Sequence, residues 1–307
     1  MKFKLIPFIV LIVFSTLKGI SQNQENKIPI IIDADTANEI DDLFALVRAI
    51  GEPKFDLRGI TASQFHTSPY ASKNTALESH LMNQKLLNLL PKYNIPLFVG
   101  NSKPISEIVN PNLSDASKFI IEQALSIPKG KKLHVVILGS CTNVATALKY
   151  NPEIASKLIV YYIGFWHDPY LNTYDKNEFN TRNDQLATNF LLNTRNLNFN
   201  VMTATTCQNL QFDKANTFRN FKKDSLGYFL ANRWKNYKRW WTSIDPDQKK
   251  WIMWDLSIIE AIIHPEWATK KIFKTPKDNL QRDIQVYTSI DSSMMKKDFW
   301  EHYNKLN

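Results

Sequence analysis

The chain has 307 residues, 44% of them apolar, enough to bury a large core as one big α/β domain or two ordinary ones. A formal charge of +9 raises the question of nucleic acid, yet the basic residues are spread along the chain in clusters no larger than Lys129–Lys132. That distribution marks a solvated basic surface and argues against a nucleic-acid partner. Two cysteines, Cys141 and Cys207, make no disulfide framework and read as buried thiols.

The chain opens with the basic Met1-Lys2-Phe3-Lys4, runs apolar from Leu5 to Leu17, and turns polar after Ser21. This is the order of a secretory signal peptide over 1–21, too short for a comfortable membrane span. It implies export, periplasmic or extracellular, with no stable membrane association after cleavage. Ile28 to Ala34 then reads as a strand buried on both faces, and Glu39 to Ile50 has helical spacing that Gly51 stops. Strands are expected at Phe55–Ser63, Pro96–Val99, Leu133–Leu138, Leu158–Ile163 and Asn198–Thr203. Helices are expected at Ser72–Leu90, at Ser114–Ser126 with Ser114 as cap, at Thr142–Tyr150 and near Asp184–Asn193. Beyond Phe212 the sequence looks helical and is rich in tryptophan. The alternation implies one α/β domain, 28–307, with a mainly parallel sheet flanked by helices in an open Rossmann-like core. In such sheets ligands bind at the carboxyl ends of the strands.

The chemistry concentrates where the first strand ends. Asp33-Ala34-Asp35-Thr36-Ala37-Asn38-Glu39-Ile40-Asp41-Asp42 puts five acidic groups within ten residues at a strand-to-helix turn. They repel one another strongly without a cation, and hard oxygen ligands on a turn suit calcium or magnesium, calcium tolerating the more irregular shell. A helix start also favours Asp41 and Asp42 through its dipole. The bland alternative, an acidic first turn with Asn38 or Asp41 as cap, leaves Asp33 and Asp35 unexplained.

This turn resembles the aspartate cluster of the inosine–uridine-type nucleoside hydrolases, in a variant with two extra residues between the second and third aspartates. Further segments resemble the family in the same order. They are Gly59-Ile60-Thr61, Asn74-Thr75-Ala76-Leu77, Ile95-Pro96-Leu97-Phe98-Val99-Gly100, Leu138-Gly139-Ser140-Cys141-Thr142-Asn143, Asn177-Glu178-Phe179-Asn180 and Trp254-Asp255. The resemblance spans about Ile28 to Ile263. It implies an enzyme that cleaves the N-glycosidic bond of a ribonucleoside or related N-riboside with a calcium-activated water. Asp35 would ligate calcium and act as base, with Asp42, Asp255 and the Leu138 carbonyl as further ligands. Asp41, Asn172, Glu178 and Asn180 would hold the ribose hydroxyls, His66 falls near the family's asparagine after the second strand, and Asp33 would support the turn. Relatives of this kind commonly form dimers or tetramers.

One position departs from the pattern: the family's histidine before the last aspartate is Trp254 here, and an indole is no general acid. Proton delivery to the leaving base would then fall to His66, His167 or Tyr170, or the leaving group differs. Two other readings stand beside this one. An exported nucleoside- or sugar-binding protein could keep the site without turnover. A haloacid-dehalogenase-type phosphatase would share Asp33-Ala34-Asp35-Thr36, but lacks its late paired aspartates.

Overall fold

The computed structural model describes residues 27–107, 113–241 and 243–306; the expected signal peptide at 1–21 lies outside them. In chain order, β1 (Ile28–Ala34) leads into α1 (Asp41–Ala49), and β2 (Phe55–Ala62) into α2 (Thr75–Asn88). β3 (Leu97–Val99) is followed by α3 (Asp115–Ser126), and β4 (Leu133–Ile137) by α4 (Thr142–Tyr150). After β5 (Leu158–Ile163) come a small hairpin of β6 (Trp166–Asp168) and β7 (Thr173–Asp175), then α5 (Phe179–Asn183) and α6 (Gln185–Asn193). Next are β8 (Asn198–Met202), α7 (Ala204–Cys207), β9 (Gln211–Asp213), α8 (Lys214–Asn220), α9 (Ser225–Asn236) and β10 (Lys250–Ile252). Last come α10 (Trp254–Ile263), β11 (Ala268–Lys274), β12 (Asp283–Ile290) and α11 (Ser292–Tyr303).

Eight strands form the central sheet in the order β11-β12-β8-β5-β4-β1-β2-β3. Every neighbouring pair from β12 to β3 is parallel, and β11 runs antiparallel at one edge. Parallel strands need helical crossovers, and those crossovers cover both faces. β1 shows the consequence: Ile30, Ile32 and Ala34 enter one core while Ile31 enters the other. The first core is closed by α1, α9, α10 and α11 through Leu43, Phe44, Leu230, Trp234, Leu256 and Phe299. The second is closed by α3, α4 and α6 through Ile120, Val144, Leu148 and Leu191. Cys141 and Cys207 are buried free thiols. Among the described residues no helix is long and apolar enough to cross a membrane.

The expected strands and helices up to Met202 are present, with ends shifted by up to three residues. Ser114 caps α3 by accepting from the Ser117 amide at 3.2 Å, and Asp184 caps α6 by accepting from Ala187 at 3.0 Å. The stretch beyond Phe212 departs from the expectation of helix alone, because it also carries β10 and the edge pair β11 and β12. β11, Ala-Thr-Lys-Lys-Ile-Phe-Lys, is an edge strand with no fully buried residue, so it carries little alternation to reveal it.

Phe44 fixes the helix that the site depends on. It is fully buried, stacked on Phe299 at 5.0 Å and edge-on to Phe212 at 5.6 Å. Phe44→Ala is expected to lower the unfolding free energy by about 3–5 kcal/mol through the cavity it leaves. Denaturant unfolding measures this, and a loss below about 1 kcal/mol would show that α1 is not held by this ring.

Candidate active site

At the carboxyl ends of the strands lies a cavity of about 270 Å³, lined by Asp35, Asn38, Glu39, Asp41 and Asp42 from the β1–α1 turn. Leu138 and Ile163 line it from the ends of β4 and β5, and Asn177, Glu178, Phe179, Asn180 and Arg182 from the start of α5. Trp254 and Asp255 enter from the first turn of α10, joined by Trp166, Ala204, Trp240 and Trp241.

The turn is tightly built. The Asn38 amide donates to the Asp35 carbonyl at 2.7 Å, and the Arg233 guanidinium from α9 donates to the carbonyls of Ala37 and Glu39. Trp251 Nε1 holds the Glu39 carboxylate at 3.2 Å. Asp33 does not line the cavity; its Oδ1 accepts from Thr61 Oγ1 at 2.6 Å and Asn143 Nδ2 at 2.8 Å, tying β1 to its neighbours. Behind Asp35 the backbone of Gly139 comes so near that a Cβ there would sit 2.7 Å from Asp35 Oδ1.

Asp255 lies 214 positions from Asp41 in sequence, yet its amide donates to Asp41 Oδ2 at 3.4 Å. Ligand oxygens of Asp41, Asp42 and Asp255 all fall within 4.8 Å of one another, and all three residues are buried. Burial, reinforced by the neighbouring carboxylates, pushes Asp35, Asp42 and Asp255 well above the ordinary carboxyl range. Asp35 Oδ2, Asn38 Oδ1 and Asp42 Oδ1 are buried oxygens with no donor. Orphaned oxygens and unneutralised carboxylates in one place fit a hard divalent cation, which would satisfy both at once.

The other wall carries polar groups from the start of α5. Glu178 caps α5, accepting from the amides of Asn180 at 3.0 Å and Thr181 at 2.9 Å and from Phe165 at 3.2 Å, so its carboxylate is both a cap and part of the cleft. Phe165 pays for this corner with a left-handed φ of 61°. Asn180 Nδ2 donates to the Leu138 carbonyl at 2.6 Å and the Ile163 carbonyl at 3.2 Å, bringing the expected carbonyl ligand and the expected sugar ligand into contact.

Of the residues singled out in sequence, the fold gathers Asp35, Asp41, Asp42, Leu138, Glu178, Asn180, Trp254 and Asp255 into this one cavity. Asn172 and His66 are not part of its lining. Asn172 sits at the β6–β7 turn with φ 48°, bonded to His167 Nε2 at 3.2 Å and the Lys274 carbonyl at 3.3 Å. His66 is drawn back onto Gln64 Oε1 at 2.7 Å. His167 and the nearly fully exposed Tyr170 also stay outside the lining. The tryptophan-rich stretch divides: Trp234 and Trp251 are fully buried in the core, whereas Trp240, Trp241 and Trp254 face the cleft. Trp254 meets Trp166 edge-on at 5.9 Å and Trp241 at 6.2 Å, and Trp240 tilts over Phe179 at 5.5 Å. Trp166, Arg182 and Ala204 carried no signal in the sequence, since each owes its place to the fold around it, whereas Asn38 lay within the acidic turn and Asn177 within the 177–180 segment. Arg182 is the cation among the lining residues, and no histidine is among them.

The pocket is acidic, lies at the carboxyl ends of a parallel sheet, where such sheets bind their ligands, and is faced by amide and indole groups. The chain belongs to the family of inosine-uridine preferring nucleoside hydrolases, which it matches over residues 30–302. It is 26% identical to the pyrimidine-specific ribonucleoside hydrolase RihA of Salmonella typhimurium over 151 residues, which is 43% of this chain and 46% of that protein. RihA of Escherichia coli O9:H4 matches equally. The aligned stretch thus spans about half the length of these curated relatives. Among solved structures, the plant nucleoside hydrolase PpNRh1 superposes with a TM-score of 0.71 at 16% identity, covering 90% of this chain and 99% of its own. The purine-preferring ribonucleoside hydrolase from Gardnerella vaginalis gives 0.69 at 19% identity, with 91% and 98% covered. At such identity these two speak for the fold alone.

The electrostatics set a pH dependence. Burial lifts Asp41 from 3.8 to about 7 and Glu39 from 4.5 to about 8. A carboxyl raised in this way binds its proton more tightly folded than unfolded, so its contribution to stability is full below its unfolded value and disappears as pH rises through the folded one. Protein stripped of divalent cations should therefore melt lower at about pH 8 than at about pH 5, and added cation should restore more at the higher pH. Thermal melts with and without chelator check this; a stripped protein that gains stability across that interval contradicts it.

Proposed function

We propose that this chain is a calcium-dependent N-glycosyl hydrolase acting on a ribonucleoside or related N-riboside. The observation that carries it is the convergence of Asp41 and Asp42 with the distant Asp255 in a buried, cation-ready cavity of a chain that belongs to this family. Asp35, Asp42, Asp255 and the Leu138 carbonyl are the oxygens that would hold the ion, and an all-oxygen, irregular donor set suits calcium. Bound there, calcium would orient and acidify water and anchor sugar hydroxyls.

The residues of the chain do the rest. Asp35 accepts a proton from the attacking water, whose oxygen bonds to the anomeric carbon. The N-glycosidic bond breaks with its electron pair passing to the base nitrogen, which takes up a proton. Asp41, Glu178 and Asn180 hold the sugar and stabilise the positive charge that develops on its ring. The indoles of Trp254, Trp166 and Trp241, set edge-to-face around Trp254, offer aromatic surface to the base. Asn177 and Arg182 add amide and guanidinium N–H donors to the indole N–H groups of that lining. Export follows from the residue order of 1–21, and a dimer or tetramer from the family resemblance; both belong to this proposal. A second reading, tight binding without turnover, draws on the lack of a histidine among the lining residues.

Asp35→Asn is expected to lower kcat for ribose release by about 10²–10⁴-fold, the usual loss of a general base, with the melting curve kept. Ribose release from a panel of nucleosides, with calcium and with chelator, measures it. Undiminished turnover would remove Asp35 as base, and tight binding with no release anywhere on the panel would favour the binding protein. Trp254→Ala should raise KM by about 2- to 10-fold, the equivalent of a lost aromatic contact, while kcat changes less. An unchanged KM would take Trp254 out of contact with the base.

A further inference from the structure

One side chain in the cleft carries a charge that nothing in the fold consumes. Arg182 is the cation of a lining that holds the carboxyl groups of Asp35, Glu39, Asp41, Asp42, Glu178 and Asp255. A guanidinium among so many carboxylates ordinarily pairs with one of them. This one makes no side-chain hydrogen bond or ion pair among the described residues, and rests instead on the face of Phe179, 5.6 Å from the ring centroid.

That contact places it. The Arg182 amide donates to the Glu178 carbonyl at 2.8 Å within α5, which fixes the backbone. The other neighbour of Phe179 is Trp240, 5.5 Å away, next in sequence to Trp241, which meets Trp254. The guanidinium thus stands at the aromatic end of the cleft, out of ion-pair range of the buried aspartates, and the residue is exposed with its planar fork of donors unspent. Its neighbours in the lining offer less. Asn180 spends its amide on the Leu138 and Ile163 carbonyls at 2.6 and 3.2 Å, and the indoles give only neutral N–H groups. A negative charge forming in this acidic cavity is disfavoured unless a positive one faces it.

Resting on the hydrolase reading above, we propose that Arg182 is a catalytic residue for departure of the base: its guanidinium donates to a carbonyl oxygen of a base that leaves as an anion. The bond from the anomeric carbon to the base nitrogen breaks with both electrons going to the base, and in a base with a conjugated carbonyl that charge spreads onto the oxygen. The water oxygen bonds to the anomeric carbon, and Asp35 takes the water's proton. The departed base then takes a proton from solvent and Asp35 returns one, so the balance closes. The guanidinium keeps its own protons throughout and acts as a preorganised charge. The substrates this favours carry bases of the uracil or hypoxanthine kind, and adenine, which has no carbonyl oxygen, gains nothing from it.

Two ribosides isolate the role: uridine, whose base is a poor leaving group, and 4-nitrophenyl β-ribofuranoside, whose phenolate leaves unaided. Ribose release is followed with calcium present, and the melting curve of Arg182→Ala is expected to match the wild type because the residue is exposed. Arg182→Ala should lower kcat on uridine by about 10- to 100-fold, less than a fully buried donor would cost, and kcat on the nitrophenyl riboside by less than about threefold. Equal losses on both substrates, or no loss on uridine, overturn the role. A loss confined to uridine 5′-monophosphate assigns the guanidinium to a phosphate and overturns it equally. Wild-type protein that hydrolyses none of these compounds ends the hydrolase reading and this role with it, whereas wild-type turnover that Arg182→Ala leaves intact removes Arg182 alone.

Discussion

Carboxylates withdrawn from water at a single point are the constraint around which this molecule is organised. Asp35, Asp41, Asp42 and Asp255 are all buried; burial raises the proton affinity of each, and the charges of Asp41 and Asp42 raise Asp35 and Asp255 further. Such a cluster is unfavourable on its own and becomes favourable only with a positive centre inside it. Two devices of the fold soften the repulsion before any cation arrives. Asp41 and Asp42 stand in the first turn of α1 and Asp255 in the first turn of α10, so two helix dipoles point their positive ends at the cluster. Arg233 reaches from α9 to the carbonyls of the turn, and its charge also bears on Asp42.

The surrounding core exists to keep those helix ends in register. α1 is buried along its whole length, and α10 from Asp255 to its end, which is unusual for helices that begin with acids. Their apolar sides are locked by Phe44, Phe212 and Phe299, and their far ends by Arg48 with Glu260 and Asp298. A charged contact at one end and a charged cluster at the other mean that the pair can neither slide nor tilt without exposing an unpaired group. Rigidity at the cleft is thus a property of the whole helix pair.

Trp254, in the first turn of α10 beside Asp255, sets the aromatic character of the cleft. Trp254 joins Trp166 and Trp241 in a wall with much apolar surface and few proton donors.

Much of this was legible in the linear chain. β1, α1 and the other elements up to Met202 follow from apolar runs and helical periods, because their burial is regular and prints a regular pattern. The turn from Asp33 to Asp42 announces itself because so many like charges in ten residues have no structural excuse. The edge strand β11 did not show, since a strand with no buried face prints no alternation. Trp240, Trp241 and Trp254 could not be told from Trp234 and Trp251 by composition, as an indole in the core and one in a cleft look alike until neighbours are known. Asn172 and His66 carry suitable polar groups, yet local hydrogen bonds at the β6–β7 turn and to Gln64 hold them elsewhere. What the chain determined by itself was local: which segments become strands and helices, and where acid accumulates. Only tertiary structure decided that Asp255 and Asn180 join Asp35, because contacts between residues far apart in sequence depend on how seven parallel strands and two buried helices pack, and no short stretch of sequence encodes that distance.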